Sequence, residues 1–276
     1  MATYILYHDP CFDGFGAAWA AKRYLDTLPA PQEAIQYLPV TYGQPMPEIP
    51  DGSDVMMLDF SYPRAEMETL RARLASLLVI DHHKTAQAAL EGFPNTVFDM
   101  NHSGAYMTWD FFFPNKPCPS LLQYVEDRDL WHHKLPKTQE INAWIHSYPK
   151  DFAVWDRLAI EMGPTSLVEG GAILRFQTQK VQEIADHAQL VAWEPYGIIP
   201  AVNTSCLMSE VAHELLIRHP ESKFSAYWFD RADGTRQWGL RSQGDFDVSE
   251  IAKGYGGGGH RNAAGFETRE PEQEIP

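Results

Sequence analysis

The sequence predicts an α/β protein of two domains: an N-terminal parallel-sheet domain, a helical connector and a smaller mixed α/β domain. In the first half of the chain, short apolar runs alternate with helical patterns, which is typical of a parallel sheet. A long helical pattern over residues 166–189 then separates this part from closely spaced strands. With 276 residues and a hydrophobic fraction of 44%, the chain can form two medium domains with full cores.

The predicted boundaries follow from these pattern changes. We predict an N-terminal domain over residues 1–150, a helical connector over 151–189, a smaller second domain over 190–268 and a tail over 269–276. The third segment shows the order β-β-α-β-β-α-β, which indicates a small mixed sheet.

Composition excludes some classes of function. The formal net charge of −15 argues against an extended duplex-binding surface, because an acidic surface repels a phosphate backbone. A small phosphorylated ligand or bound cations remain compatible with it. The three scattered cysteines indicate a reducing, cytoplasmic location, and the chain shows neither a signal pattern nor an apolar run that would span a bilayer. We therefore expect no membrane partner.

Three predicted strands of the first domain end in an acid or a histidine. These strands and their polar ends are residues 3–7 with His8, residues 55–58 with Asp59, and residues 77–80 with Asp81, His82 and His83. Asp13 falls on the loop between the first strand and the next helix. Because the carboxyl ends of parallel strands meet at one sheet edge, the sequence predicts that these side chains converge there. Taken singly, each residue could instead be an ordinary strand end or helix cap.

The residue types indicate a transition-metal site. Carboxylate oxygens beside imidazole nitrogens suit manganese, zinc or iron better than calcium. A further acid follows the apolar helical segment at residues 120–125, and periodicity does not separate Asp127 from Asp129 as its source.

A glycine run near the C-terminus suggests an anion-binding loop. Four glycines at residues 256–259 precede His260 and Arg261. Successive glycines can present backbone N–H groups to an anion, and the two side chains can add directed donors. A tight turn or a linker is the alternative interpretation of the glycines.

Together these motifs resemble the DHH family of phosphoesterases with a C-terminal DHHA1 domain. The resemblance rests on His8 with Asp13-Gly14, on Asp59, on Asp81-His82-His83, on the acid near Asp127, and on the glycine run. The family includes RecJ-type exonucleases, bacterial nanoRNases, cyclic-dinucleotide phosphodiesterases and manganese pyrophosphatases. The resemblance implies a site for two Mn²⁺ ions, with Mg²⁺, Zn²⁺ or Fe²⁺ as alternatives.

The resemblance also implies roles for individual residues. The expected metal ligands are His8, Asp13, Asp59, His82 and Asp127, with Asp59 bridging the two ions. Asp81 is expected to orient the cluster and His83 to contact the phosphate or the leaving oxygen. The expected substrate-binding residues are Gly257, Gly258, Gly259, His260 and Arg261.

One position departs from the family pattern. Cys11 stands where the first of two acids is expected, and the loop is one residue shorter. Either Asp9 compensates, or Cys11 is itself a ligand, or Cys11 only packs. A thiolate ligand would favour a softer metal such as zinc or iron.

These expectations predict a metal-dependent phosphodiesterase, an exonuclease acting on short single-stranded RNA or DNA or on dinucleotides. The alternatives are a cyclic-dinucleotide phosphodiesterase, a phosphoadenosine phosphatase, or a nucleotide-binding protein without turnover. The sequence leaves the oligomeric state open, with a homodimer among the options.

Overall fold

The structure, a computed structural model, describes residues 2–9, 11–29 and 35–269, so the predicted tail beyond Arg269 lies outside the described residues. The chain divides into two compact units, residues 1–174 and 175–276. Within the described ranges, no helix combines the length and the apolar character needed to cross a membrane. The finer boundaries predicted at residues 150 and 189 stay predictions.

The first unit is a five-stranded parallel sheet flanked by helices. Its elements are β1 (Thr3–His8), α1 (Phe12–Leu25), β2 (Ile35–Val40), β3 (Asp54–Leu58), α2 (Arg64–Arg71), β4 (Ser76–Asp81), α3 (Lys84–Ala89), β5 (Thr96–Phe98), α4 (Gly104–Phe112), α5 (Ser120–Asp129), α6 (Thr138–His146) and α7 (Phe152–Glu161). The strand order is β2-β1-β3-β4-β5. Helix α8 (Pro164–Ala185) contains the boundary between the units.

The central strands are apolar because both faces of the sheet are covered. Ile5 and Leu6 in β1 alternate between two separate core clusters, and both are fully buried. Helix α1 packs closely on the sheet, and a Cβ at Gly14 would lie 2.2 Å from the carbonyl oxygen of His8. This close approach brings the start of α1, and with it Asp13, to the carboxyl end of β1.

The second unit is a six-stranded mixed sheet. Its elements are β6 (Gln189–Trp193), β7 (Gly197–Asn203), α9 (Met208–Arg218), β8 (Phe224–Asp230), β9 (Thr235–Ser242), α10 (Val248–Gly254), β10 (Gly258–His260) and β11 (Ala263–Arg269). The strand order is β10-β11-β9-β8-β7-β6, with β7 and β8 parallel and the other pairs antiparallel. The two sheets confirm the predicted fold class.

The glycine run differs from its prediction as a loop, because part of it is strand β10, which pairs with β11. The glycines serve this close pairing. A Cβ at Gly257 would lie 2.1 Å from the carbonyl oxygen of Gly265, and Gly259 has a φ of +138°. Side chains at these two positions would clash or strain the backbone, which gives the glycines a packing role.

Candidate metal centre

The carboxyl ends of β1, β3 and β4 bring their polar residues together in the first unit. His8 Nδ1 lies 3.4 Å from Asp59 Oδ2, and His82 Nε2 lies 3.1 Å from Asp59 Oδ1. The parallel sheet explains this convergence, because β3 pairs with both β1 and β4.

Asp59 lies at the centre of this cluster, with histidine rings near both of its carboxylate oxygens. The residue is 1% exposed, and neither carboxylate oxygen accepts a hydrogen bond from the residues that the structure describes. Its backbone φ of +56° lies in the left-handed region, a strain that proteins concentrate at functional sites. Burial opposes the charged carboxylate, yet the neighbouring His8 and His82 rings outweigh it and hold the pKa of Asp59 well below its usual range.

The same ring nitrogen of His82 also lies near a second group of donors. This atom, Nε2, is 3.5 Å from Asp13 Oδ2 and 3.5 Å from Asp129 Oδ2. Burial first, and then the charges of Asp59 and Asp129, raise the pKa of Asp13. Burial lowers the pKa of His82, but the surrounding carboxylates outweigh it and raise that pKa well above its ordinary value. Three carboxylates this close repel one another unless positive charge lies among them.

Asp13 is held in place by the start of α4. Its two carboxylate oxygens accept hydrogen bonds from the backbone N–H groups of Gly104, at 2.6 Å, and Ala105, at 3.0 Å. A Cβ at Gly104 would lie 2.6 Å from the Cβ of Asp59, so this position has no room for a side chain. Gly104 was not among the predicted site residues, although a glycine that follows the capping residue Ser103 was the available signal.

Asp81 supports the cluster from beneath. Its Oδ1 atom accepts hydrogen bonds from the backbone N–H of His82 at 2.7 Å, from the backbone N–H of His83 at 3.1 Å and from His83 Nδ1 at 2.7 Å. Its Oδ2 atom accepts one from Ser61 at 3.4 Å. Because His83 donates from Nδ1, its Nε2 is the nitrogen that can act on a ligand. Burial opposes the imidazolium, but the Asp81 carboxylate outweighs it and raises the pKa of His83.

Asp127 and Asp129, the two candidates for the further acid, have different surroundings in the structure, which favour Asp129 as the ligand. Its carboxylate accepts hydrogen bonds from the backbone N–H groups of Lys134, at 2.9 Å, and Leu135, at 3.0 Å, which fixes the turn after α5. Asp129, two positions further on, is the acid that faces His82. The two side chains have different neighbours because residues two positions apart in a helix are rotated by about 200° around its axis.

Cys11, which stands where the family pattern has an acid, lies near the cluster in the structure. Cys11 Sγ caps α1 by accepting a hydrogen bond from the backbone N–H of Asp13 at 3.2 Å, and it lies 3.9 Å from Asp129 Oδ1. Asp9 is ion-paired with Lys150 and has no place in either donor group. Of the two candidates for replacing the missing acid, the sulfur of Cys11 is therefore the one beside the cluster.

The predicted substrate-binding residues lie together at one edge of the second unit. The N–H of Gly257 already donates to the carbonyl of Ala252, so this donor is used internally. Gly258, Gly259 and His260 form β10. The Arg261 side chain is 54% exposed, and its Nη1 lies 3.3 Å from Asp245 Oδ1.

The donors of the first unit fit divalent cations. Two groups of three residues place one donor atom from each member within 4.8 Å of the others: His8, Asp59 and His83 form one, and Asp13, His82 and Asp129 form the other. The buried oxygens of Asp59 and the Nδ1 of His8 face one another or His82, but they make none of the hydrogen bonds that buried polar atoms normally have among the described residues. Mixed nitrogen and oxygen donors of this kind suit manganese, zinc or iron.

The sequence is similar to that of an uncharacterized viral protein. The uncharacterized protein R106 of Acanthamoeba polyphaga mimivirus is 32% identical over 279 residues, which cover 95% of this chain and 66% of the viral protein. The chain thus spans slightly less than two thirds of that relative. No family model matches the chain.

Two solved structures share the architecture at low sequence identity. The DHH domain of the protein PF0399, which is described as belonging to a family of ribosomal proteins, has a TM-score of 0.61 and 12% identity, with 99% of this chain and 84% of that chain covered. An exopolyphosphatase-related protein from Bacteroides fragilis has a TM-score of 0.54 and 14% identity, with 99% and 88% covered. At this identity the likeness concerns the fold.

Proposed function

Since the chain has the DHH-domain fold that its motifs predicted, we propose that it is a metal-dependent phosphoesterase that hydrolyses phosphodiesters. The observation that carries the proposal is Asp59, a buried carboxylate that accepts no hydrogen bond from the described residues, belongs to one group of possible metal ligands and lies 3.1 Å from His82 of the other. Two divalent cations, when bound, would activate a water molecule and stabilise the attacking and leaving oxygens of an in-line displacement.

The residues of the first unit divide the work. His8 and Asp59 would hold one ion, while Asp13, His82 and Asp129 would hold the other, with Asp59 between them. Asp81 fixes the His83 ring through Nδ1, which leaves Nε2 as the nitrogen available to a ligand. We assign Nε2 to the phosphate or to the leaving oxygen, where, when protonated, it would donate a charge-assisted hydrogen bond.

We further propose that the substrate is a short single-stranded oligonucleotide or a dinucleotide. The net charge of −15 supports a small substrate over a long duplex. Cyclic dinucleotides, phosphoadenosine compounds and polyphosphate are the competing substrate classes, the last because the Bacteroides protein is described as exopolyphosphatase-related.

A substrate panel tests this proposal. The metal-stripped chain is incubated with single-stranded RNA and DNA of graded length and with the competing compounds, each with Mn²⁺, Mg²⁺, Zn²⁺ or Fe²⁺. We expect metal-dependent release of nucleotides from the short strands, lost in Asp59→Asn and kept in Asp110→Asn, which alters an exposed acid of α4. Turnover that persists in chelator would overturn the proposal. Tight nucleotide binding without turnover would identify a binding protein.

For the second unit, we propose that His260 and Arg261 bind a part of the substrate that does not react. Loss of one charge-assisted hydrogen bond costs about 1.5–3 kcal/mol, so Arg261→Ala should raise KM on oligonucleotides by about ten- to a hundredfold. A minimal diester such as bis-p-nitrophenyl phosphate should be almost unaffected.

Asp245→Asn is the matched control, because it removes the carboxylate near Arg261 and leaves the cation in place. If Arg261 binds phosphate, the Asp245 variant should keep KM or lower it. If Arg261 serves only the local fold through Asp245, the two variants should behave alike and the proposal fails.

A further inference from the structure

Tyr42 follows the end of a fourth strand of the parallel sheet, and the proposed function does not use it. Strand β2 pairs in parallel with β1, in a register that places Val40 opposite His8. Just beyond this pair, the Thr41 hydroxyl donates a hydrogen bond to the carbonyl oxygen of Asp9 at 2.9 Å. Tyr42 therefore leaves the sheet at the same edge as the polar ends of β1, β3 and β4.

The aromatic ring of Tyr42 packs against two histidines of the cluster. Its centroid lies 5.2 Å from that of His8 and 5.7 Å from that of His83, with edge-to-face angles of 67° and 72° between the ring planes. Phe60 packs against the same ring at 4.5 Å. These separations are in the range in which aromatic rings attract one another. Because Tyr42 is 40% exposed, it borders both the cluster and the solvent.

The hydroxyl of Tyr42 anchors this ring. It forms a hydrogen bond with the backbone of Ser61, and the Ser61 hydroxyl donates to Asp81 Oδ2 at 3.4 Å. Burial of the hydroxyl first, and then the charges of Asp81 and Asp59, raise the pKa of Tyr42, which places the hydroxyl on the cluster side of the residue. The ring is thus held by contacts of its own and can support the histidines that it touches.

The orientation of the His83 ring depends on what packs against it. Asp81 Oδ1 accepts a hydrogen bond from Nδ1 at 2.7 Å, but the torsion that turns a histidine ring about its Cβ–Cγ bond has only broad preferences. The direction of Nε2, which the proposed function assigns to the phosphate or the leaving oxygen, is therefore set by neighbouring groups. Tyr42 is such a neighbour, and it belongs to none of the groups of possible metal ligands.

We propose that Tyr42 is a positioning residue, whose ring holds the His83 imidazole in the orientation that directs Nε2 at the substrate. The inference rests on the proposed function, because Tyr42 acts through His83 and has no separate part in the reaction. Removing the ring should lower kcat about ten- to a hundredfold, as is typical when a group that orients a site residue is lost. KM should change little, because the interaction of His83 strengthens in the transition state.

A double-mutant cycle between Tyr42 and His83 separates positioning from a general structural role. The kcat on a single-stranded RNA dinucleotide at saturating Mn²⁺ is measured for the natural chain, Tyr42→Leu, His83→Gln and the double variant. We expect Tyr42→Leu to cost about ten- to a hundredfold in the natural chain, but less than about twofold when His83→Gln is present. Losses that multiply in the double variant would overturn the inference.

Two further variants test the role of the ring. Tyr42→Phe keeps the ring and should retain most of the activity. Tyr106→Leu is the matched control, because it removes a tyrosine ring that stacks on His102 at 4.3 Å, outside the groups of possible metal ligands, and it should keep the natural kcat. Equal losses in Tyr42→Phe and Tyr42→Leu would overturn the role of the ring.

The contact is also tested without metal or substrate, by NMR of the histidine ring protons in the metal-free chain. The signal of His83 should shift in Tyr42→Leu, because the ring current of the tyrosine is lost, and keep its position in Tyr106→Leu. An unshifted signal in Tyr42→Leu would overturn the inference and leave the proposed function intact. Absence of metal-dependent turnover in the natural chain, on every substrate of the panel, would instead overturn the proposed function, and the inference with it.

Discussion

Two buried aspartates end neighbouring strands of the parallel sheet, and they differ in how their charges are satisfied. Asp81, after β4, accepts hydrogen bonds from two backbone N–H groups, from the His83 ring and from the Ser61 hydroxyl. Asp59, after β3, accepts none from the described residues, although it is buried to the same degree. One carboxylate is therefore held by the scaffold, and the other is the residue on which the proposed metal site depends.

This difference in accepted hydrogen bonds distinguishes the residues that support the cluster from the residues that are available to bind a ligand. A buried polar group without partners costs about 1–3 kcal/mol, more when it is charged, so it persists where binding compensates for it. By this criterion Asp59 and His8 Nδ1 belong to the binding positions, while Asp81 and Asp127 belong to the support.

The largest expected effect separates Asp59 from Asp81 in activity. Asp59→Asn removes a charge that would lie between two cations, and we expect turnover to fall about a thousandfold or more, since metal-ion catalysis contributes several kcal/mol. Asp81→Asn keeps Oδ1, which accepts three of the four hydrogen bonds, and should lose only about ten- to a hundredfold. Steady-state kinetics and calorimetric Mn²⁺ titration of both variants provide the check. Equal losses would remove the distinction.

For the stability of the protein we expect the reverse order, in which the loss of Asp81 matters more than the loss of Asp59. Asp81→Ala leaves the two backbone N–H groups and the His83 ring without their acceptor, and each buried unpaired donor costs about 1–3 kcal/mol. We expect the free energy of unfolding, measured with denaturant on the metal-free protein, to fall by about 3 kcal/mol or more. Asp81→Asn is the control and should lose much less. A small effect of the alanine variant would show that these donors find other acceptors.

Local patterns explain how much of this could be predicted. Apolar runs ending in an acid or a histidine predicted β1, β3 and β4 and the residues at their ends. This was possible because a buried strand consists of consecutive apolar residues, whose number gives its length. The partners of Asp13 could not be predicted this way, since Gly104 and Ala105 lie more than ninety positions away. Strand β10 was missed because glycine has little intrinsic preference for strands and pairs here through close packing.

The pair Asp127 and Asp129 shows the same limit within one helix end. Both acids are compatible with the helical pattern of α5, and only the turn that follows decides which one is used as its cap. That turn contains Trp131 and His133 with positive φ values, and the sequence does not predict this conformation.

Variants of Asp127 and Asp129 should show a smaller difference in stability and in metal binding. Asp127→Ala removes the acceptor for Lys134 and Leu135, and we expect it to lower the free energy of unfolding by about 2 kcal/mol while leaving the Mn²⁺ stoichiometry unchanged. Asp129→Asn should do the opposite and lose bound metal with little change in metal-free stability. Denaturant-induced unfolding measures the stability of both variants, and calorimetric titration measures their Mn²⁺ stoichiometry. Loss of a metal ion from the Asp127 variant would return the ligand role to Asp127.

The last expected effect is a pH dependence of the metal-free protein. Although burial opposes their charged forms, the carboxylates around His82 and His83 raise both histidine pKa values, while burial and neighbouring acids raise the pKa of Asp13 and Asp129. The folded cluster therefore binds more protons than the unfolded chain. Its contribution to stability is lost as pH rises, from about pH 4 for the acids and from about pH 6.5 for the histidines.

Each extra proton held by the folded state gives a slope of about −1.4 kcal/mol per pH unit in the free energy of unfolding. The lowered pKa of Asp59 acts in the other direction only at more acidic pH, below its usual value. We expect denaturant melts in chelator to show stability falling from mildly acidic to mildly alkaline pH, and saturating Mn²⁺ to reverse the slope, because metal displaces these protons. Stability that rises with pH in chelator would mean that the metal-free cluster holds no excess protons, and Asp59 would then not lie among cationic histidines.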